Sequence, residues 1–320
     1  MHDGNARSPL APVFLAGPTA VGKSAAALAL AERLGGEIIS VDSMQVYCGL
    51  DLGTAKPTPA ERARVPHHLI DVVELSESFD AAKFLRLAEA AVKDIQSRGR
   101  VPIFCGGTGL YFKAWFDGLG AAPPADPRVR AELEATPLAD LLAELERRDP
   151  ATFARIDRQN PRRVIRALEV IRLTGQPFSA QRAAWPSTLD ARPSNCLIAF
   201  TREPADLRAR IEARVDAMFA AGLVEETRAL LPRGLADNPA ALQALGYRQV
   251  VEHLRGARGL GDTIALVKTK TWQFARRQRT WFRRQLAVEW VPLIPQSEPA
   301  AVARELADRI AARSPVAPLD

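Results

Sequence analysis

The feature that most constrains this chain lies between residues 13 and 41. An apolar run, Val13 to Ala16, enters a loop bounded by Gly17 and Gly22, and a helical stretch follows from Ser24 to Leu34. Gly35 and Gly36 end that stretch before a second apolar run, Glu37 to Val41. Strand, loop, helix, strand at this spacing is a βαβ unit, so the sheet it seeds is parallel. The loop reads Gly17, Pro18, Thr19, Ala20, Val21, Gly22, Lys23, Ser24, which is GxxxxGK[ST] in the strand-to-helix context that this pattern requires. Backbone N–H groups at such a helix N-terminus cradle phosphate oxygens; Lys23 adds a point charge and the Ser24 hydroxyl turns toward Mg²⁺. Residues Gly17 to Ser24 therefore predict a di- or triphosphate ligand.

The parallel pattern recurs. A helix is expected from Asp80 to Gln96, with Ala81, Phe84, Leu85, Ala88, Ala91, Val92 and Ile95 on one stripe, followed by a strand from Val101 to Cys105. Composition changes at the Gly- and Pro-rich segment 118–127, and from Val129 to Thr174 only helical periodicity is found. A Pro-rich stretch, Trp185 to Ser194, precedes a further buried strand, Cys196 to Phe200; beyond it, Pro204 to Arg255 and Thr263 to Leu286 read as helical. The expectation is an α/β fold with a P-loop NTPase-like parallel sheet core in two parts, residues 1–119 and 196–320. A helical insertion, 120–195, interrupts it. Residues up to Pro12 and from Ser314 onward are expected to be disordered tails.

The longest apolar run, Ala25 to Ala31, is far short of the about 18 residues a membrane span needs. Three cysteines, Cys48, Cys105 and Cys196, form no CxxC pair, so neither a disulfide framework nor a structural zinc site is indicated and a cytoplasmic protein is expected. The net charge of +6 permits a polyanionic partner, and its distribution is more telling. Thr263 to Val288 holds no acidic residue but carries Lys268, Lys270, Arg276, Arg277, Arg279, Arg283 and Arg284. In the basic helix 263–286, Val267, Thr271, Phe274, Gln278 and Trp281 are expected to face the core, leaving a cationic edge for phosphates. His67 and His68 have no carboxylate-rich surroundings in sequence, and metal ligation is not expected there.

Asp42 follows the second strand at its carboxyl end, the edge at which a doubly wound sheet gathers its ligands. It could hold magnesium through water, act as general base toward an acceptor, or cap the turn that follows it.

From Asp42 the sequence continues Ser-Met-Gln-Val-Tyr-Cys-Gly-Leu-Asp-Leu-Gly-Thr-Ala-Lys-Pro57, which closely resembles the signature of tRNA dimethylallyltransferases. Pro66 to Asp71, Gly106 to Tyr111, Arg166 to Val170, Arg210 to Arg214, Gly246 to Gln249 and Arg276 to Arg283 resemble that family in its order. The resemblance implies transfer of a dimethylallyl group from dimethylallyl diphosphate to N6 of adenosine 37, in the anticodon stem-loop of tRNA, with release of pyrophosphate. It implies Asp42 as base, with Thr19, Lys23, Ser24, Arg214 and Mg²⁺ on the leaving diphosphate. Ser43, Met44 and Gln45 would meet the target adenine, together with Thr108 and Arg130. Gln159, Asn160, Pro161, Arg162 and Arg163 would contact tRNA elsewhere, as would Gln243, Ala244, Leu245, Gly246, Tyr247 and Arg248. No membrane partner and a monomeric state are expected. Two other readings stay open from the residues alone: a P-loop small-molecule kinase, and an RNA-binding protein gated by nucleotide.

Overall fold

A computed structural model describes residues 11–119, 122–182 and 197–312. Residues 1–10 of the expected N-terminal tail, the stretch Trp185 to Ser194, Cys196 and the expected C-terminal tail lie outside them. Among the described residues no helix is long and apolar enough to cross a membrane.

Six strands form one sheet: β1 (Val13–Ala16), β2 (Gly36–Val41), β3 (His67–His68), β4 (Val101–Gly106), β5 (Leu197–Thr201) and β6 (Glu289–Pro292). Their order is β3-β2-β4-β1-β5-β6 and every pairing is parallel. The four inner strands are buried almost throughout, as strands covered on both faces must be. The two edge strands escaped sequence reading. β3 has only two residues, and β6 carries a Glu and a terminal Pro, which an edge tolerates.

The chain divides into two compact units, Met1–Trp115 with Arg192–Asp320, and Phe116–Ala191. In the first unit α1 (Lys23–Leu34) packs its Ala- and Leu-rich face on the sheet. α2 (Pro59–Arg64) follows a complete capping box at Thr58, and α3 (Ala81–Ser97) is capped by the Asp80 carboxylate. α4 (Gly109–Asp117) runs to the unit boundary. The second unit is built on α5 (Pro127–Ala135), α6 (Leu138–Arg148), α7 (Pro150–Phe153), α8 (Pro161–Thr174) and α9 (Phe178–Arg182). Leu133, Leu141, Leu145, Val164 and Leu168 form its core. The first unit resumes with α10 (Pro204–Ala220), α11 (Leu223–Leu230), α12 (Tyr247–Leu254), α13 (Leu260–Gln285) and α14 (Pro299–Ala311).

Two expectations need correction. Residues 231–243 are not α-helix but three short 3₁₀ turns, because Pro232, Gly234 and Pro239 interrupt any longer run. On α13 the buried stripe is Thr263, Val267, Thr271, Ala275, Gln278 and Phe282, so Phe282 takes the place expected for Trp281, and Phe274 is 37% exposed. A stripe advancing by four residues over three successive turns drifts away from a strict heptad, which carries Phe274 outward.

Candidate active site

Register sets the site. Ala16 of β1 and Val41 of β2 both pair with Gly106 of β4, so three strands end in one row. The residues that follow, the phosphate loop, Asp42 and Gly107-Thr108, leave the same sheet edge. A Cβ on Gly106 would lie 2.0 Å from the Val41 carbonyl oxygen, which explains why only glycine fits there.

The phosphate loop is held from behind. Ala20 occupies the left-handed region with φ of 64°, a conformation that costs a non-glycine residue about 1–2 kcal/mol. Arg210 Nε donates to the Ala20 carbonyl at 3.0 Å, and Arg202 Nε donates to the Val21 carbonyl at 2.7 Å. Arg202 is buried and also reaches Asp206 and the Ile294 carbonyl, tying the loop to β6's far end. The Thr19 N–H donates to Gln278 Oε1 at 2.9 Å. Sequence reading misses Arg202, a lone arginine with no pattern around it, and places Gln278 in the core without its bond to the loop.

Two cavities meet at Arg214. The first, about 240 Å³, is lined by Lys23, Ser24, Cys105, Arg210 and Arg214 among others. The second, about 370 Å³, is lined by Thr19, Asp42, Ser43, Met44, Thr108, Arg214, Phe274 and Arg277 among others. Burial pushes the Lys23 ammonium below its ordinary pKa, with the Arg214 charge adding to the effect and Asp42 opposing it. Burial likewise lowers Arg214, beside Arg210, and lifts the Cys105 thiol to about 11. Ser24 is exposed at the first turn of α1, its hydroxyl open to a ligand.

Asp42 caps the turn that follows it and keeps its second carboxylate oxygen unused. Its Oδ1 accepts from the N–H groups of Met44 at 2.8 Å and Gln45 at 3.3 Å, the turn cap. Oδ2 carries no hydrogen bond among the described residues, and the residue lines the second cavity. Ser43 N–H donates to Thr108 Oγ1 at 3.1 Å, which fixes the next residue beside it. Gln45, expected at the adenine, is bonded inside its own loop: Oε1 accepts from Ser40 Oγ, and Nε2 donates to the Thr54 and Ala55 carbonyls. It lines the first cavity, not the second, and braces the loop.

The loop from Asp42 to Pro57 has other braces. Lys56 Nζ is almost fully buried and reaches Asp51, Asp71 and the Tyr47 carbonyl. Glu226 of α11 accepts from the Leu52 N–H and from the Tyr247 hydroxyl, and that hydroxyl accepts from Gly53 N–H at 3.1 Å. Burial raises the Glu226 carboxyl, while these two donors pull it back.

Several expected RNA contacts stand differently in the structure. Gly246 and the Tyr247 side chain are buried, whereas Gln243 and Arg248 are exposed, Leu245 is half-buried, and Ala244, though buried, lines the second cavity together with Gln243 and Leu245. In the second unit, Gln159, Pro161, Arg162 and Arg163 are exposed around the start of α8, with Asn160 at its N-cap. Arg130 is ion-paired at 2.8 Å with the fully buried Glu169, which also pairs with Arg166. It holds its own helix to α8. His67 and His68 bond to the Val65 carbonyl and to Glu37. Among the described residues no three His, Cys, Asp or Glu side chains cluster as metal ligands.

The family model for IPP transferase matches residues 45–285. The chain belongs to the IPP transferase family. The tRNA dimethylallyltransferase of Anaeromyxobacter dehalogenans is 48% identical over 301 residues, covering 93% of this chain and 99% of that one. That of Halorhodospira halophila is 51% identical over 282 residues, covering 86% and 91%. Among solved structures, the full-length tRNA isopentenylpyrophosphate transferase of Bacillus halodurans superposes with a TM-score of 0.68 at 38% identity, covering 96% of this chain and 98% of that one. A eukaryotic dimethylallyltransferase acting on tRNA gives 0.75 at 25% identity, covering 97% and 81%. The fold is the P-loop NTPase-like one that the loop at Gly17 to Ser24 predicts, and the family is the one that the segments from Asp42 onward resemble.

Proposed function

We infer that this chain is a tRNA dimethylallyltransferase, transferring a dimethylallyl group from its diphosphate to N6 of adenosine 37 in the anticodon stem-loop. The observation that carries the reading is Arg214, shared by a cavity holding the phosphate loop and a cavity holding Asp42. A leaving diphosphate and an attacking amine need that adjacency.

An exocyclic adenine amine is a weak nucleophile, its lone pair delocalised into the ring. As the N6–C1 bond forms and the allylic C1–O bond breaks, the departing N6 proton passes to the free Oδ2 of Asp42. The electron pair of the broken bond leaves on pyrophosphate. Backbone N–H groups of Gly17 to Ser24, the Lys23 ammonium and the Arg214 guanidinium stabilise that charge where it develops. Ser24 fits a magnesium ion, since its hydroxyl is accessible and Mg²⁺ takes few protein ligands when phosphate oxygens and waters complete its shell. Bound there, Mg²⁺ would neutralise the leaving diphosphate. Ser43, Met44 and Thr108 flank the target adenine, which must be unstacked to reach the cavity. The reading also has the enzyme acting as a cytoplasmic monomer, which light scattering on the purified protein tests.

The deciding experiment incubates the protein with Mg²⁺, dimethylallyl diphosphate and unmodified anticodon stem-loop RNA, then weighs the nucleosides by mass spectrometry. Isopentenyl-adenosine that disappears in Asp42→Ala is the expected result. No prenylated product, with phosphoryl transfer from ATP in a parallel reaction, would replace this reading with a kinase.

A further inference from the structure

Among the described residues, the buried polar side chains other than tyrosine and cysteine are hydrogen-bonded within the protein in every case but one. The threonines show it best: Thr152 donates to Asp149, Thr227 to the Leu223 carbonyl and Thr263 to the Gly259 carbonyl. Thr271, on the buried face of α13 and 8% exposed, has no such partner among the described residues. A helical threonine commonly turns its hydroxyl to the carbonyl four residues back, as Thr263 does, and as the exposed Thr269 does toward Ala265 at 3.0 Å. Thr271 does not make that bond. Burying a hydroxyl without a partner is unfavourable, so the exception points to a partner that is not part of the chain.

That partner belongs in the second cavity, which Thr271 lines. Phe274 and Arg277, further along α13, are exposed at its rim, whereas Val267, one turn back, and Val215 of α10 are buried. Thr271 is the polar group between rim and floor on the α13 wall. Asp42, Ser43 and Thr108 reach the same cavity from the sheet edge. An ionised carboxylate only accepts, so Asp42 can hold the N6 amine of an adenine and none of its ring nitrogens. N1, N3 and N7 carry lone pairs that need a donor, and unstacked RNA bases are held by hydrogen bonds along those edges. A neutral hydroxyl meets a ring nitrogen without adding charge beside the reacting amine.

We propose that Thr271 is a specificity-determining residue whose hydroxyl donates to one ring nitrogen of the target adenine, turning the base so that N6 faces Asp42. This rests on the reading, given above, that adenine occupies this cavity. Deleting the hydroxyl and deleting that nitrogen remove the same bond, so the two losses do not add.

The test pairs Thr271→Val, which replaces the hydroxyl by a methyl of like shape, with altered RNA. Stem-loops carry adenosine, 1-deaza-, 3-deaza- or 7-deazaadenosine at the target position, and fluorescence anisotropy reads their Kd. Thr271→Val should weaken the adenosine RNA by about 10-fold. One of the deaza RNAs should show a similar loss in the wild type and bind Thr271→Val and wild type alike. Thr271→Ser, which keeps the hydroxyl, should bind the adenosine RNA as the wild type does. No penalty in Thr271→Val, or one that is equal for all these RNAs, would overturn the assignment. A merely structural role gives the second of these results with a lowered unfolding temperature, because a packing defect does not depend on one nitrogen of the RNA. An abasic stem-loop that binds the wild type as tightly as the adenosine RNA would put the base outside the cavity and overturn the assignment too. The comparison is of equilibria and needs no turnover, so a protein that reads the nitrogen but yields no prenylated product loses the proposed function and keeps this inference.

Discussion

The two ends of the site are built from different materials. At the phosphate end the groups proposed to act are, Arg214 apart, main-chain N–H donors with Lys23 and Ser24, delivered by eight consecutive residues and pinned by Arg202, Arg210 and Gln278. At the acceptor end they are side chains on a loop, Asp42 to Pro57, which stays in place through Lys56, Gln45 and a glutamate and tyrosine from α11 and α12. A cradle of backbone can be written in a short motif, whereas a side-chain site must be assembled from residues almost two hundred positions apart.

That difference predicts that the ends fail separately. The largest effect is expected from Asp42→Asn, which removes the base and keeps the turn cap: turnover should fall by about 10² to 10⁴ with pyrophosphate affinity unchanged, as single-turnover kinetics beside calorimetry would read. A parallel loss of pyrophosphate binding would erase the distinction. Lys23→Met should do the converse, lowering turnover by about 10² to 10³ and weakening pyrophosphate while leaving RNA binding intact. Tyr247→Phe strips a donor from half-buried Glu226 and an acceptor from Gly53, at a cost of about 1–3 kcal/mol in urea unfolding. It should raise KM for RNA and spare pyrophosphate, since the brace belongs to the acceptor end alone.

The smallest effect is a pH dependence confined to the phosphate end. Burial lowers the pKa of Lys23, so its charge is complete well below the ordinary lysine value and is lost as pH rises through the lowered pKa. Pyrophosphate affinity should fall across that window. The stability of the free protein should rise there, because the unfolded chain holds more protons than the folded one. Opposite slopes in calorimetry and thermal unfolding are expected, and Lys23→Met should flatten both.

Much of this was legible in the sequence, unevenly. The four inner strands and α1 could be placed to within a residue because a strand buried on both faces leaves a continuous apolar run, and the phosphate loop because its residues are contiguous. The edge strands left no such run. Among site residues, Asp42, Lys23, Ser24 and Arg214 come together as expected, but Gln45, Tyr247 and Arg130 are polar groups whose hydrogen bonds are taken up inside the protein. Residue type alone cannot separate a brace from a contact surface; both are polar, and only the partner tells them apart. Arg202 illustrates the converse, a lone arginine that sequence cannot single out because the loop carbonyl it holds lies 181 positions away.

The packing of Gly53 against Tyr247 bears on how this loop can change over time. A β-carbon at residue 53 would sit 2.3 Å from the tyrosine ring, while a smaller ring at 247 would abandon the hydroxyl that Glu226 and Gly53 share. A single step at 53 is therefore closed and one at 247 is costly, and the wider routes are paired: a larger residue at 53 together with a smaller one at 247, with a new donor for Glu226. A library that randomises 53, 226 and 247 together should recover active members as triplets, and a library at 53 alone should return the parent. The loop that presents the acceptor chemistry is anchored at a point where variation has to move in concert.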